Sequence, residues 1–245
     1  MIIGSKKIYH ENLSSTNTHA ASLIRKGSVQ EGTVIYTGFQ TAGRGQMGNR
    51  WISQVGKNLL FSVILFPKTI KAERQFIISK AISLGIIDFL SAHTTNLSIK
   101  WPNDIYANDD KIAGILIENS LIRDEIDNSI IGIGININQE SFPADLVNPV
   151  SLKNITGKQY NLEECLNELL SKLDSRYKMI LHEKRSQIDR EYMAMVYKAG
   201  TWAEFRDSNG IFEGRISKVT DTGRLQVEDR RGRTYEYGFK EVDFL

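Results

Sequence analysis

Past Ala199-Gly200 the chain changes its pattern, and that change limits the folds open to it. Up to about residue 198, strand-like runs alternate with segments of helical periodicity. Beyond it only short strand-like runs remain, at residues 201–206, 211–219, 225–228 and 234–237. Polar turns divide them at Ser208-Asn209-Gly210, Asp221-Thr222-Gly223 and Arg231-Gly232. Closely spaced strands with such turns predict a small antiparallel barrel. The chain therefore reads as two units, residues 1–198 and 199–245.

In the first unit, the Ser/Thr/Asn-rich residues 12–17 read as helix N-caps, with a helix following over 18–26 and ending at Gly27. Residues 33–37, 59–66, 98–101, 104–107, 111–118 and 130–136 are rich in apolar and β-branched side chains and predict strands. Asn108-Asp109-Asp110 reads as a hairpin turn. Residues 71–92 place apolar side chains at helical spacing, as do 161–182; 184–197 predicts a further helix.

Composition narrows the class. Charged residues are 24% of 245 and the net charge is +2, ordinary for a soluble globular protein and unlike a nucleic-acid-binding one. The N-terminus lacks the apolar core of a signal peptide, and no apolar run is long enough to span a bilayer. Cys165 is the only cysteine, which excludes an intrachain disulfide and fits a reducing compartment. A cytoplasmic enzyme is the expectation. No Asp or Glu lies between Glu31 and Glu73, whereas Arg44, Arg50, Lys57, Lys68 and Lys71 do. A stretch of cations without anions favours an anionic ligand.

Gly43-Arg44-Gly45-Gln46-Met47-Gly48 matches the dinucleotide G-x-G-x-x-G pattern, yet Asn49-Arg50-Trp51 leads on to a strand and the next acid, Glu73, comes too late. A phosphate-binding P-loop fails too, because Asn49-Arg50 stand where Lys and Ser/Thr are needed. The surviving reading is a mobile loop whose backbone N–H groups can approach a ligand, flanked by two guanidinium forks. Trp51 stacks on a flat ring or anchors the loop. In Lys100-Trp101-Pro102-Asn103-Asp104 the proline fixes a bend that holds Asn103 and Asp104; Asp104 reads as a turn carboxylate or as a group orienting Mg²⁺ or an amine. Lys111 opens an apolar strand containing Gly114, and Gly132 and Gly134 interrupt another. Such glycines admit a ligand against the strand face or add twist. The four histidines show no metal-ligand spacing, and Cys165, between Leu162, Leu166 and Leu169, reads as core.

The order of these signals is specific. Ser15-Thr16-Asn17, Gln40-Thr41-Ala42-Gly43-Arg44-Gly45, Trp51, Lys100-Trp101-Pro102-Asn103-Asp104, residues 111–118 and residues 132–136 together resemble the biotin–protein ligase family. The resemblance covers residues 8–140 and extends more loosely beyond. It implies an α+β fold: a mixed-sheet catalytic domain of the biotin/lipoate ligase type with a small C-terminal SH3-like β-barrel. It implies ATP and Mg²⁺ as cofactors, biotin as substrate, and a biotin carboxyl carrier protein or carboxylase domain as partner. DNA is not expected as partner, because the chain begins almost directly at the catalytic domain, nor is a membrane, because the apolar runs are short; a homodimer stays open.

Residue by residue, the resemblance implies that Ser15, Thr16, Asn17 and Gln40 contact biotin, and that Arg44, Gly45 and Gln46 lie on a loop closing over it. Trp51, Asn103 and Asn136 would belong to the nucleotide site. Lys111 would reach both the biotin carboxylate and the α-phosphate, and with Arg44 would carry catalysis; Asp104 would help hold Mg²⁺. Gln46, Met47 and Asn49 depart from positions that are often basic. Two alternatives stand beside this reading: a lipoate–protein ligase and a non-catalytic biotin sensor.

Overall fold

The computed structural model describes residues 1–27 and 29–245. The first unit is a seven-stranded mixed sheet. In chain order its elements are β1 (Lys6–Leu13), α1 (Thr16–Arg25), β2 (Thr33–Gln40), β3 (Leu59–Leu65), α2 (Phe76–Leu90), β4 (Leu97–Lys100), β5 (Asp104–Ala107), β6 (Asp110–Ile122) and β7 (Glu125–Ile135). Three helices come next, α3 (Leu152–Thr156), α4 (Leu162–Leu181) and α5 (Arg185–Met195). The sheet order is β1-β2-β3-β7-β6-β5-β4. Only β1 and β2 run parallel; every other neighbouring pair in this sheet is antiparallel.

The period of two along the strands sorts side chains between the faces. Phe61, Val63 and Leu65 of β3 and Ile131, Ile133 and Ile135 of β7 enter one large apolar core, with helices α2 and α4. In α2 every residue except Asp88 is buried, as expected of a largely apolar helix, and its one buried charge, Lys80, is paired with Asp189 at 2.7 Å. Asp88 is retained by the guanidinium of Arg176 on α4, at 2.6 and 2.8 Å; Arg176 also bonds Glu191 of α5. The other face starts a second core, Ala20, Ile35, Ile64 and Ile130, under α1. Beyond α1 that face carries Ser62, Gly114, Gly132 and Gly134 instead of large side chains.

The second sheet contains β8 (Trp202–Asp207), β9 (Gly210–Val219), β10 (Leu225–Asp229), β11 (Thr234–Tyr237) and β12 (Asp243–Phe244), in the order β11-β10-β9-β8-β12. This antiparallel sheet fits an SH3-like unit, but among the described residues no ladder joins β11 to β12. A side-chain bond spans the sheet instead: Tyr237 of β11 donates to Asp207 of β8 at 3.0 Å. The two-residue length of β12 leaves too little backbone for a closing ladder.

Several sequence expectations need correction. Residues 12–13 end strand β1, and the helix starts at Thr16. Ser15 takes the N-cap position with an extended backbone, but its side chain makes no capping bond. Strand β1 escaped the pattern because Lys6–Leu13 is polar on both faces and lies at the sheet edge, so backbone pairing with β2 defines it. The helix expected over 71–92 is one 3₁₀ turn at Ala72–Arg74 followed by α2. Strands β6 and β7 run past the apolar runs into polar residues, where ladder bonds need no apolar side chains. The hairpin at 108–110 is present, with Asn108 at φ +56° and Ala107 paired to Asp110.

Candidate functional site

The site is a hollow on the small-residue face of the sheet, with a cavity of about 230 Å³. Its floor comes from the middle strands. A Cβ at Gly132 would overlap the Asn17 side-chain oxygen, and one at Gly134 the Trp51 indole; at Gly114 it would meet Trp51 Cζ3 at 2.9 Å. These glycines therefore admit close approach, and the groups that approach are the protein's own Asn17 and Trp51. A small-molecule pocket is usually about 300–1,000 Å³. The indole lying across Gly114 and Gly134 accounts for the smaller volume.

The end of the floor under α1 is a polar network. Thr16 N–H donates to Gln40 Oε1 at 2.8 Å. Ser62 Oγ lies 2.7 Å from Thr16 Oγ1 and 2.6 Å from Asn17 Oδ1. Asn17 Nδ2 donates to Glu118 Oε2 at 2.8 Å. Glu118 in turn receives Arg44 through both guanidinium nitrogens, at 2.5 and 3.3 Å. A continuous chain of bonds thus runs from Gln40 through Asn17 to the glycine loop. Ser15, Thr16 and Asn17 are all about 3% exposed, so these groups are desolvated and oriented before any ligand arrives.

The glycine loop is a small hairpin, with no helix after it. Residues 44 and 50 form a bridge, Gly45 N–H donates to Asn49 O at 2.7 Å, and Trp51 N–H to Gly43 O at 3.1 Å. Met47 takes a left-handed conformation, φ +51°, at its tip. A Cβ at Gly43 would overlap the Trp51 carbonyl, so the crossing itself requires glycine.

The second motif divides its residues between two directions. Lys100 reaches the Tyr106 hydroxyl at 3.2 Å, and Trp101 is buried with its Nε1–H donating to Gly223 O of the second sheet at 2.9 Å. Asn103 and Asp104 face the hollow. Asn103 Nδ2 donates to Ile115 O at 2.7 Å, and the Asp104 carboxylate is 2.7 Å from Lys111 Nζ. Lys111 and Asp104 keep 31% and 23% of their side-chain surface, so the pair is held yet reachable. The ammonium also stands 5.8 Å from the Trp51 ring centroid. Burial first, with Asp104 beside it, pushes the Tyr106 phenol up to about 12.

Every site residue nominated from the sequence lines this hollow except Asn136. Asn136 is buried outside the lining: its amide donates to Val150 O at 3.1 Å and its Oδ1 has no partner. Asn136 lies one residue past the end of β7, and its side chain is engaged by the Val150 carbonyl instead. The Trp51 Nε1–H is likewise buried without an acceptor, inside the hollow. Among the described residues, no group of three or more His, Cys, Asp or Glu could hold a metal. Cys165 is core, and burial pushes its thiol up to about 11.

Four contributors escaped the sequence reading. Ser62 and Glu118 left a trace, each being a polar residue in an apolar strand. Phe239 and Lys240 come from the turn after β11 and left none.

This mixed sheet, with its glycine floor, cationic hairpin and trailing antiparallel sheet, defines a biotin/lipoate ligase fold. The chain belongs to the Biotin/lipoate A/B protein ligase family, whose model matches residues 9–136. It is 33% identical over 237 residues to the Bifunctional ligase/repressor BirA of Bacillus subtilis, covering 94% of this chain and 72% of that protein. It is 30% identical over 208 residues to a Biotin--[acetyl-CoA-carboxylase] ligase of Paracoccus denitrificans, covering 79% of this chain and 83% of the relative. The biotin protein ligase from Aquifex aeolicus, solved in complex with biotin and ATP, superposes with a TM-score of 0.77 at 25% identity, covering 98% of this chain and 99% of that one.

Proposed function

We infer that the chain is a biotin–protein ligase that activates biotin with ATP and transfers it to a lysine of a biotin carboxyl carrier protein. The observation that carries this reading is the single hollow in which the nominated residues, Asn136 apart, converge. Similarity to ligases named for biotin, and to a structure holding biotin and ATP, supports it. Residues 1–198 are in this reading the catalytic unit and residues 199–245 the second one.

The biotin carboxylate attacks the α-phosphorus of ATP, forming biotinyl-5′-AMP and releasing pyrophosphate. The amine of a carrier lysine then attacks the acyl carbon of the mixed anhydride, and AMP leaves. The first step brings a carboxylate against a triphosphate, and cations aimed at the phosphorus oxygens offset that repulsion. Lys111 does this by exchanging Asp104 for substrate anions, and Arg44 by exchanging Glu118. The polar floor of Thr16, Asn17, Gln40 and Ser62 suits a ureido ring, which offers two N–H donors and a carbonyl acceptor. The apolar dithiolane of lipoate offers these polar groups no hydrogen-bond partner, which argues against the lipoate reading. Trp51 offers its indole face and unpaired N–H to the adenine side. The hairpin of residues 43–50, folded over the adenylate, keeps water from the anhydride.

Mg²⁺ arriving with ATP takes most of its ligands from phosphates and water, and needs one or two protein carboxylates. Asp104, freed from Lys111, fits that requirement; the ion would neutralise phosphate charge. Among the described residues no helix is long and apolar enough to cross a membrane, and a cytoplasmic reaction is the reading that ATP and a carboxylase carrier support. The test is to incubate the protein with ATP, Mg²⁺, biotin and an apo-carrier domain and to weigh the carrier. A mass gain of one biotin on a lysine is expected. No gain, or gain with lipoate alone, overturns the assignment.

A further inference from the structure

Arg44 needs a counter-charge that its own segment does not hold. No Asp or Glu lies between Glu31 and Glu73, so the carboxylate against this guanidinium comes from another part of the chain. It is Glu118 of β6, which ends the apolar run of residues 112–117. The period of two puts Gly114, Leu116 and Glu118 on one face of that strand. Gly114 belongs to the floor, and Leu116 lines both the hollow and the space behind the glycine hairpin. Glu118 lines the rear space, beside Gly43 and Arg44, and stands outside the lining of the hollow. It acts on the hollow through the side chains that it holds.

There are two of them. Glu118 Oε2 accepts from Asn17 Nδ2 at 2.8 Å, and the same carboxylate takes both terminal nitrogens of Arg44, at 2.5 and 3.3 Å. The consequence for Asn17 follows from its bonds. Its two amide hydrogens go to Glu118 and, at 3.3 Å, to Leu116 O. Its oxygen receives Ser62 Oγ at 2.6 Å and keeps one lone pair. Asn17 can thus meet a ligand only as an acceptor, and Glu118 is the charged group that keeps the amide that way round. For Arg44 the effect is the reverse: its fork is occupied until another anion displaces the carboxylate. Arg44 and Glu118 keep 47% and 36% of their side-chain surface. An ion pair this exposed adds little to stability, so the fold does not depend on it and a phosphate can compete for the arginine.

We propose that Glu118 is a positioning residue of the reaction: it fixes the Asn17 amide as an acceptor for the substrate ring and serves Arg44 as a resident anion that the nucleotide phosphate displaces. The proposal rests on the ligase reading for the identity of both ligands. One carboxylate carries both roles, and two substitutions separate them. Glu118→Gln removes the charge offered to Arg44 and keeps an oxygen for Asn17, whereas Glu118→Ala removes both.

The experiment compares these two variants with wild type, Arg44→Ala and the Arg44→Ala/Glu118→Gln double variant. Each is titrated calorimetrically with α,β-methylene-ATP and with biotin, and assayed for the KM of ATP in biotin-dependent pyrophosphate exchange. Triphosphate affinity should rise about 5-fold in Glu118→Gln, the upper range for release of an exposed ion pair, with biotin affinity within about 2-fold of wild type. The rise should vanish in the Arg44→Ala background. Biotin affinity should fall about 10-fold in Glu118→Ala, the size of one lost charge-assisted hydrogen bond. Melting temperatures should stay unchanged. A residue that only braced the fold would weaken both ligands together with the melting temperature and would not tighten triphosphate binding. Unchanged or weaker triphosphate binding by Glu118→Gln, a rise that survives in the Arg44→Ala background, or full biotin affinity in Glu118→Ala overturns the proposal. If wild type gives no biotin-dependent exchange yet the Arg44-dependent rise is present, the ligase reading fails and the role of Glu118 as resident anion stands.

Discussion

The two faces of the seven-stranded sheet share the same strands and differ in what their alternate residues leave behind. On one face Phe61, Val63, Ile131 and Ile133 join α2 and α4 in the large apolar core. On the other, Ser62, Gly114, Gly132 and Gly134 stand at the intervening positions, and the missing side chains are the hollow. One face uses volume to secure the fold. The other gives up volume so that buried polar groups can meet a ligand, and part of that space is taken by Asn17 and Trp51. Stability and chemistry are thus separated by a single step along a strand, which is the period-two geometry of a β-strand put to use.

The largest effect that would test this division is on the apolar face. Ile131→Ala should cost about 2–5 kcal/mol in chemical unfolding, the usual size of a large-to-small change in a packed core. The activity per folded molecule should hold; a fall in specific activity at full folding would show that the faces are not independent. Lys111→Ala, on the site face, should lower biotin-dependent pyrophosphate exchange by roughly 10²-fold or more, the scale of losing a charge-stabilising donor, with little change in melting temperature. Near-normal exchange by the folded variant would falsify the role given to Lys111.

Gly132→Ala sharpens the comparison further. Its methyl would displace the Asn17 amide and disturb the chain to Glu118. Biotin affinity should fall on the order of 10-fold, about 1.4 kcal/mol, as one buried hydrogen bond is lost. Equal biotin binding by calorimetry would mean that Asn17 has room to shift. The smallest expected effect concerns Gln46, which lines the hollow with a neutral donor. A charge-assisted bond is roughly twice as strong as a neutral one, so Gln46→Arg should slow escape of biotinyl-5′-AMP by about 1 kcal/mol. An unchanged dissociation rate would show that Arg50, which lines the same hollow, already serves that phosphate.

The two motifs were unequally legible. The glycine hairpin could be read almost whole, because its glycines and arginines are needed for local reasons: the Gly43 crossing tolerates no Cβ, and residues 44–50 bond among themselves. The Lys-Trp-Pro-Asn-Asp string could be located but not oriented. That its Asn and Asp face the hollow while its Lys and Trp face the second sheet is decided by the packing of Trp101 against Gly223 and Phe239, which are distant in the chain.

The sequence by itself determined the strands that carry apolar patterns, the longer helices, the β5–β6 turn and the identity of most residues around the hollow. Each of these rests on short-range requirements, such as side-chain periodicity, turn conformation and the need of a crossing for glycine. Tertiary structure alone decided that Arg44 and Lys111 rest against Glu118 and Asp104, that Asn136 stays outside the lining, that polar strand β1 joins the sheet edge, and that Phe239 and Lys240 complete the rim. Those outcomes depend on which distant groups come within a few ångströms after folding. Coulombic pairing and exclusion of water act over that distance through space and leave no periodic trace along the chain.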